Sequence, residues 1–162
     1  MKNILYDRQK SVAYAKQWAM GRNPHFYNFD KMGGDCTNFA SQCILAGCDV
    51  MNYTKDVGWY YNSPNDRTAS WSGVEYLYQF LVKNHAGAGP FGTETDAGGI
   101  QPGDLIQLGN KDRFYHTPVV VEVEKNAIYV AAHTYDVYLK PLSHYFFSRI
   151  RYLHIDGARA WK

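Results

Sequence analysis

Apolar and polar positions change period partway along the chain. In the first half apolar residues recur every three to four positions, the spacing of one helix face. "DRQKSVAYAKQWAMGRNP" carries this pattern between Asp7, a residue suited to the N-cap, and the stop signals Gly21 and Pro24. "DCTNFASQCILAG" predicts a second helix from an Asp35 N-cap to Gly47, with Phe39, Ala40, Cys43 and Ile44 on its apolar stripe. A third helix is predicted to start at "SGVE", where Ser72 and Glu75 fit a capping box and Val74, Leu77, Tyr78 and Leu81 form the stripe. From "AGAGPFG" onward, Gly and Pro punctuate the chain and short β-branched runs appear. "DLIQL", "TPVVVEV", "AIYVAA" and "SRIRYLHI" read as four strands, the middle two joined by a turn at Glu124 to Asn126. Pro118 has no amide to donate, so it belongs at the start or edge of its strand. Helices first and an antiparallel sheet second predict an α+β fold.

A length of 162 residues predicts one domain spanning residues 1–162, and 46% hydrophobic residues suffice for a core. A formal charge of +2, with no block of like charges, argues against nucleic acid as partner. The first ten residues contain no apolar signal region, and no run is long enough for a membrane span. Cytoplasmic synthesis is expected, with export, if any, by a route that needs no classical signal. Three cysteines, at 36, 43 and 48, do not make a disulfide framework, and no spacing resembles a zinc ligand set. No metal or other cofactor is expected. The surplus of aromatics, 16% with fourteen tyrosines, raises a groove for peptides or sugars as one option and ordinary packing as the other. In "GWYYNSPNDRTASW", Trp59, Tyr60 and Trp71 are the candidate substrate-binding residues.

Cys36 is the first residue of its predicted helix. The positive end of the helix dipole there favours thiolate. Gly33 and Gly34 allow a sharp turn and offer backbone amides for an oxyanion. The alternative is a small buried apolar residue, the reading that suits Cys43 and Cys48. Of six histidines, His116 stands apart because it directly precedes "TPVVVEV". If the chain turns near residue 125, hairpin register sets His116 opposite 133 or 134. His133 would then orient His116 as the third member of a triad, with Asp136 in "HTYD" as its rival.

The order of a helix-tip cysteine, a histidine entering a strand and a polar residue on the next strand resembles the papain-like NlpC/P60 and CHAP hydrolases. "DCTNF" is similar to their "DCSG" type, and "QPGDLIQ" to the turn that opens their first strand. The match is closer to the bacterial putative amidase domain family. It rests on "GGDCTNFASQ", "MNYT", "GWYY", "QPGDLIQL", "FYH" and "AAHTYD", and runs from Tyr6 to His154. The resemblance implies a papain-like fold, with the nucleophile at a helix N-terminus packed on a C-terminal antiparallel sheet. It implies Cys36 as nucleophile, His116 as base and His133 as third residue. The implied activity is hydrolysis of an amide bond, with a peptide or amide linkage of bacterial cell wall as substrate. Acyl transfer or deamidation on protein is the enzymatic alternative, and a non-catalytic module holding a peptide or glycan is the other. Oligomeric state is not readable.

Overall fold

The computed structural model describes residues 1–161. Helix α1 (Arg8–Trp18) is opened by Asp7, whose Oδ1 accepts the Lys10 amide at 3.1 Å. Helix α2 (Cys36–Cys48) buries eleven of its thirteen residues, so it is a central helix and not the one-sided element its stripe predicts. It ends at Asp49, which takes the left-handed conformation (φ 54°) expected of a glycine. Gly47 lies inside the last turn for a different reason: a Cβ there would come within 2.4 Å of the Tyr6 ring. Tyr6 needs that close approach because its hydroxyl donates to the Gly103 carbonyl at 2.7 Å, tying the N-terminal segment to the sheet.

The predicted third helix is two helices, α3 (Ala69–Ser72) and α4 (Val74–Lys83), broken at the extended Gly73. The capping box does not form. Ser72 sits inside α3 and its hydroxyl accepts from Arg67 Nε at 2.9 Å instead.

Strand β1 (Lys2–Ile4) pairs with the end of β10 (Arg149–Ala160). Sequence pattern missed β1 and the part of β10 beyond "SRIRYLHI". A two-stranded hairpin, β2 (Tyr61–Ser63) with β3 (Asp66–Arg67), precedes α3. The main sheet then gathers β4 (Gly89–Thr95), β5 (Leu105–Gly109), β6 (Phe114–His116), β7 (Val119–Glu124), β8 (Ala127–Ala132) and β9 (Val137–Pro141). Its order is β1-β10-β5-β7-β8-β9, with β4 also on β10 and β6 also on β5, every pair antiparallel. Strand β10 is shared along its length: Arg149–Leu153 pairs with β5, Ala158–Ala160 with β1, and Tyr152–Arg159 with β4, with a bulge between Ile155 and Gly157. The result is a mixed helix and curled antiparallel sheet, an α+β architecture.

Both faces of the central strand are covered. Leu105, Val119, Ala131 and Leu153 pack in one cluster with Phe39, Ala40, Cys43 and Ile44 of α2. Ile106, Leu108, Val120 and Val130 form a second cluster with Ile100. Pro118 stands just before β7, and its carbonyl accepts the Ile106 amide at 3.0 Å. There the missing proline amide costs the ladder nothing.

Candidate active site

The loop into α2 turns on Gly33 and Gly34, whose φ values of 93° and 102° are open to glycine. Asp35 follows at the N-cap, but its carboxylate caps no helical amide. It is fully buried and turned inward. Oδ1 accepts from the Phe29 amide and from Asn38 Nδ2, each at 2.8 Å. Oδ2 meets His133 Nδ1 at 2.5 Å and faces Arg22 Nε at 3.4 Å. The tip of α2 is thus held from beneath by a buried charge rather than closed by a cap.

Cys36 rests on that hub, 7% exposed, and lines a groove of about 310 Å³. Gly34, Thr37, Gly73, Tyr76 and Tyr115 are among its walls. Burial pushes the thiol up from its ordinary value, against the pull of hydrogen bonds from the Thr117 backbone, the Thr37 hydroxyl and the Thr37 backbone. Desolvation thus opposes the pull toward thiolate expected at a helix N-terminus. The expected oxyanion donors need correction too. The Gly34 amide is spent on the Phe29 carbonyl at 3.1 Å, and the Asp35 amide on Thr134 Oγ1 at 3.0 Å. Among the described residues the Cys36 amide has no acceptor and remains a donor at the helix tip, and of the two glycines only Gly33 keeps its amide unspent.

His116 ends β6 and is paired through Leu108 of β5, not alongside β8 as hairpin register predicts. The register Val119↔Ala131 does continue toward His133, but β8 stops at Ala132 before the two histidines can pair. Burial, with a lesser push from Lys140, brings the His116 imidazole down to about 4, so it is neutral near pH 7. Thr117, the next residue, joins its hydroxyl to Thr37 Oγ1 at 3.0 Å, and Thr37 Oγ1 lies 3.7 Å from the Cys36 sulfur. Tyr145 links the same two groups. Its ring centroid lies 5.6 Å from that of His116, and burial together with the charge of a Cys36 thiolate pushes its phenol up to about 12. Sequence reasoning missed Tyr145, which follows a 3-10 turn with no pattern around it.

His133 does not orient His116. Its Nε2 meets the Trp18 carbonyl at 2.8 Å and its Nδ1 meets the Asp35 carboxylate. Both ring nitrogens already have partners, so neither is left to meet the His116 imidazole. The ring is 1% exposed and stacks on Phe39 with centroids 4.0 Å apart. Asp136, the rival, is equally committed: it takes Arg22 Nη1 at 2.8 Å and Nη2 at 3.0 Å. Both expected orienters therefore serve the underside of the α2 tip.

Trp59 and Trp71 are corrected as well. Both are fully buried and touch no groove. Trp59 Nε1 donates to Ser41 Oγ at 3.1 Å, that hydroxyl donates to the Trp71 carbonyl at 2.7 Å, and Trp71 Nε1 donates to Asn38 Oδ1 at 2.8 Å. Buried tryptophans need such partners for their N–H groups, and the polar residues of "TNFAS" supply them. Tyr60 is partly exposed and reaches Asp66 at 3.3 Å, with no place in the Cys36 groove.

All three cysteines are free and buried, and no group of three or more His, Cys, Asp or Glu among the described residues could hold a metal ion. No helix is long and apolar enough to cross a membrane.

No solved structure matches the chain. A Bacillus subtilis relative, "Uncharacterized protein YhbB", is 32% identical over 161 residues, which is 96% of this chain and 47% of that protein. The chain thus spans about half the length of this curated relative. The model of the family described as "Putative amidase domain" matches residues 5–154, and the chain belongs to that amidase family.

Proposed function

We propose that the chain is a cysteine-dependent amide-bond hydrolase, papain-like in mechanism, with Cys36 as nucleophile and His116 as base. The observation that carries this reading is the α2 tip. A groove-lining thiol sits there beside an unspent helix-tip amide, and the residue after His116 reaches it through Thr37, whose Oγ1 lies 3.7 Å from the sulfur and 3.0 Å from Thr117 Oγ1. Burial leaves both groups neutral at rest, so the proton moves as attack occurs. His116 takes the Cys36 proton while sulfur adds to the amide carbonyl. The Cys36 amide donates to the developing oxyanion. Collapse breaks the C–N bond, and the departing amine takes the proton from His116. Water then adds to the thioester with His116 as base, releasing the acid and restoring the thiol.

The amidase family supports hydrolysis, and the resemblance to cell-wall hydrolases makes a peptide or amide linkage of bacterial wall the first substrate to try. The reading as a non-catalytic binding module loses its aromatic wall, because Trp59 and Trp71 are core residues. Digestion of purified peptidoglycan, read by mass spectrometry, is the test. New amino ends without new reducing sugars are expected from the native chain and none from Cys36→Ala. Equal product from both would overturn the assignment of Cys36. Product from neither would remove the wall substrate and turn the search to protein amides.

A further inference from the structure

The groove that Cys36 lines does not stop at the thiol. Its walls Glu75, Arg113 and Phe114 also line a second recess of about 270 Å³, completed by Asp112, Arg149 and Arg151. Three guanidiniums and two carboxylates meet there, so one positive charge is left over. Arg151 is fully engaged. Its Nη2 donates to Glu75 at 2.8 Å and to Gln107 at 2.6 Å, and its guanidinium covers Tyr78 at 3.5 Å and Phe114 at 3.9 Å. Arg149 also lies over Phe114, at 4.4 Å, which fixes the plane of the guanidinium and leaves its edge free to donate. Among the described residues, neither Arg149 nor Arg113 forms an ion pair, and both are exposed. Asp112 shares the recess without pairing to either; its turn is held through its own amide, which donates to Asn110 at 2.9 Å.

We propose that this recess is a subsite for a carboxylate of the substrate, received by Arg113 and Arg149. The amide bond that Cys36 attacks would then lie beside an acidic group. A single surplus charge suits a monoanion, and a guanidinium held flat on an aromatic ring presents the fork that a carboxylate fits. The proposal rests on the reading of Cys36 as nucleophile, and the two fail in different ways in one experiment. N-iodoacetyl-β-alanine and N-iodoacetyl-β-alaninamide carry the same reactive carbon and differ only in carboxylate against carboxamide. Either one alkylates a thiolate by losing iodide, so labelling reads approach to Cys36 without amide turnover. Rates of Cys36 modification are followed by intact mass and peptide mapping.

The carboxylate reagent should label Cys36 roughly two- to fivefold faster, the range open to an exposed ion pair, and the advantage should shrink at high salt. Arg113→Gln and Arg149→Gln should each bring the ratio toward one, while Arg149→Lys should keep part of it. Both arginines lack partners that folding depends on, and unchanged melting of each variant checks this. Equal rates with the native chain, or a ratio that survives both glutamine variants, would overturn the subsite. Failure of both reagents to label Cys36 in preference to Cys43 and Cys48 would overturn the nucleophile and the subsite with it.

Discussion

Asp35 and Asp104 are both fully buried aspartates, and each meets one arginine, one histidine and at least one backbone amide. Asp104 takes Arg8 at 2.7 Å, His154 at 2.9 Å and the amides of Gln101 and Ile155, each at 2.9 Å. Asp35 takes His133, the Phe29 amide and Asn38, with Arg22 Nε standing off at 3.4 Å. The difference lies in what is satisfied and what is nearby. Around Asp104 the arginine donates directly, and His154 is still 24% exposed. Around Asp35 the histidine is sealed in, and Arg22 Nε is a buried donor with no hydrogen-bond partner because Asp136 and Asp30 hold the rest of the guanidinium. The Asp104 hub stitches α1 to the ends of β5 and β10. The Asp35 hub is one residue from Cys36. An acid, a histidine and an arginine in contact are therefore no signature of chemistry by themselves; their distance from the groove separates the two hubs.

The largest effect that separates them is loss of each carboxylate. Asp35→Asn and Asp104→Asn should each destabilise by about 3–5 kcal/mol, since each removes a fully buried carboxylate that an arginine and several polar groups converge on. Only Asp35→Asn should also slow Cys36 alkylation per folded molecule. Denaturant melts beside labelling rates check this, and an equal labelling loss in Asp104→Asn would dissolve the comparison.

The histidines come next. His133→Ala should cost about 2–4 kcal/mol, because it removes a buried ring stacked on Phe39 and strands an Asp35 oxygen. His154→Ala, from a partly exposed site, should cost about 1 kcal/mol. If His133 instead oriented His116, its loss would move the acidic limb of kcat/KM. Both of its nitrogens are occupied elsewhere, so that limb is expected to stay in place.

A last effect is a pH slope that belongs to neither hub. His116 titrates near 4 in the folded chain and near its ordinary value of 6.5 when unfolded. Between these values the unfolded chain binds a proton that the folded chain refuses, so stability falls as pH drops through this window and levels off below it. The loss should reach at most about 3 kcal/mol. His116→Gln should remove the slope, and melts at several pH values would reveal it. The same shift predicts a kcat/KM acidic limb nearer 4 than 6.5, reported by the thiol–imidazole pair as a unit. A limb at 6.5 would mean that the groove is wetter in solution.

Much of this protein was legible in the chain alone. Helices α1 and α2 were set by local periodicity and by Asp7, and strands β5, β7, β8 and the start of β10 by β-branched runs between Gly, Pro and Asn turns. These are signals within a few residues of one another. So are the glycine turn before Cys36 and the place of His116 directly before Pro118. Strands β1 and β4 were invisible because their only reason to be extended is pairing with β10, far away in sequence. The roles of His133 and Asp136 were misread for the same reason. Hairpin register places a backbone, but which way a side chain turns depends on what packs against it. Here Trp18, Arg22 and Asp35 approach from separate elements and claim both residues. Only the tertiary structure decided that Trp59 and Trp71 are core, that Cys36 is buried, and that arginines from one strand and a turn share one recess beside the thiol. Each of these outcomes is a matter of desolvation and of distance across the fold, and a linear pattern carries neither.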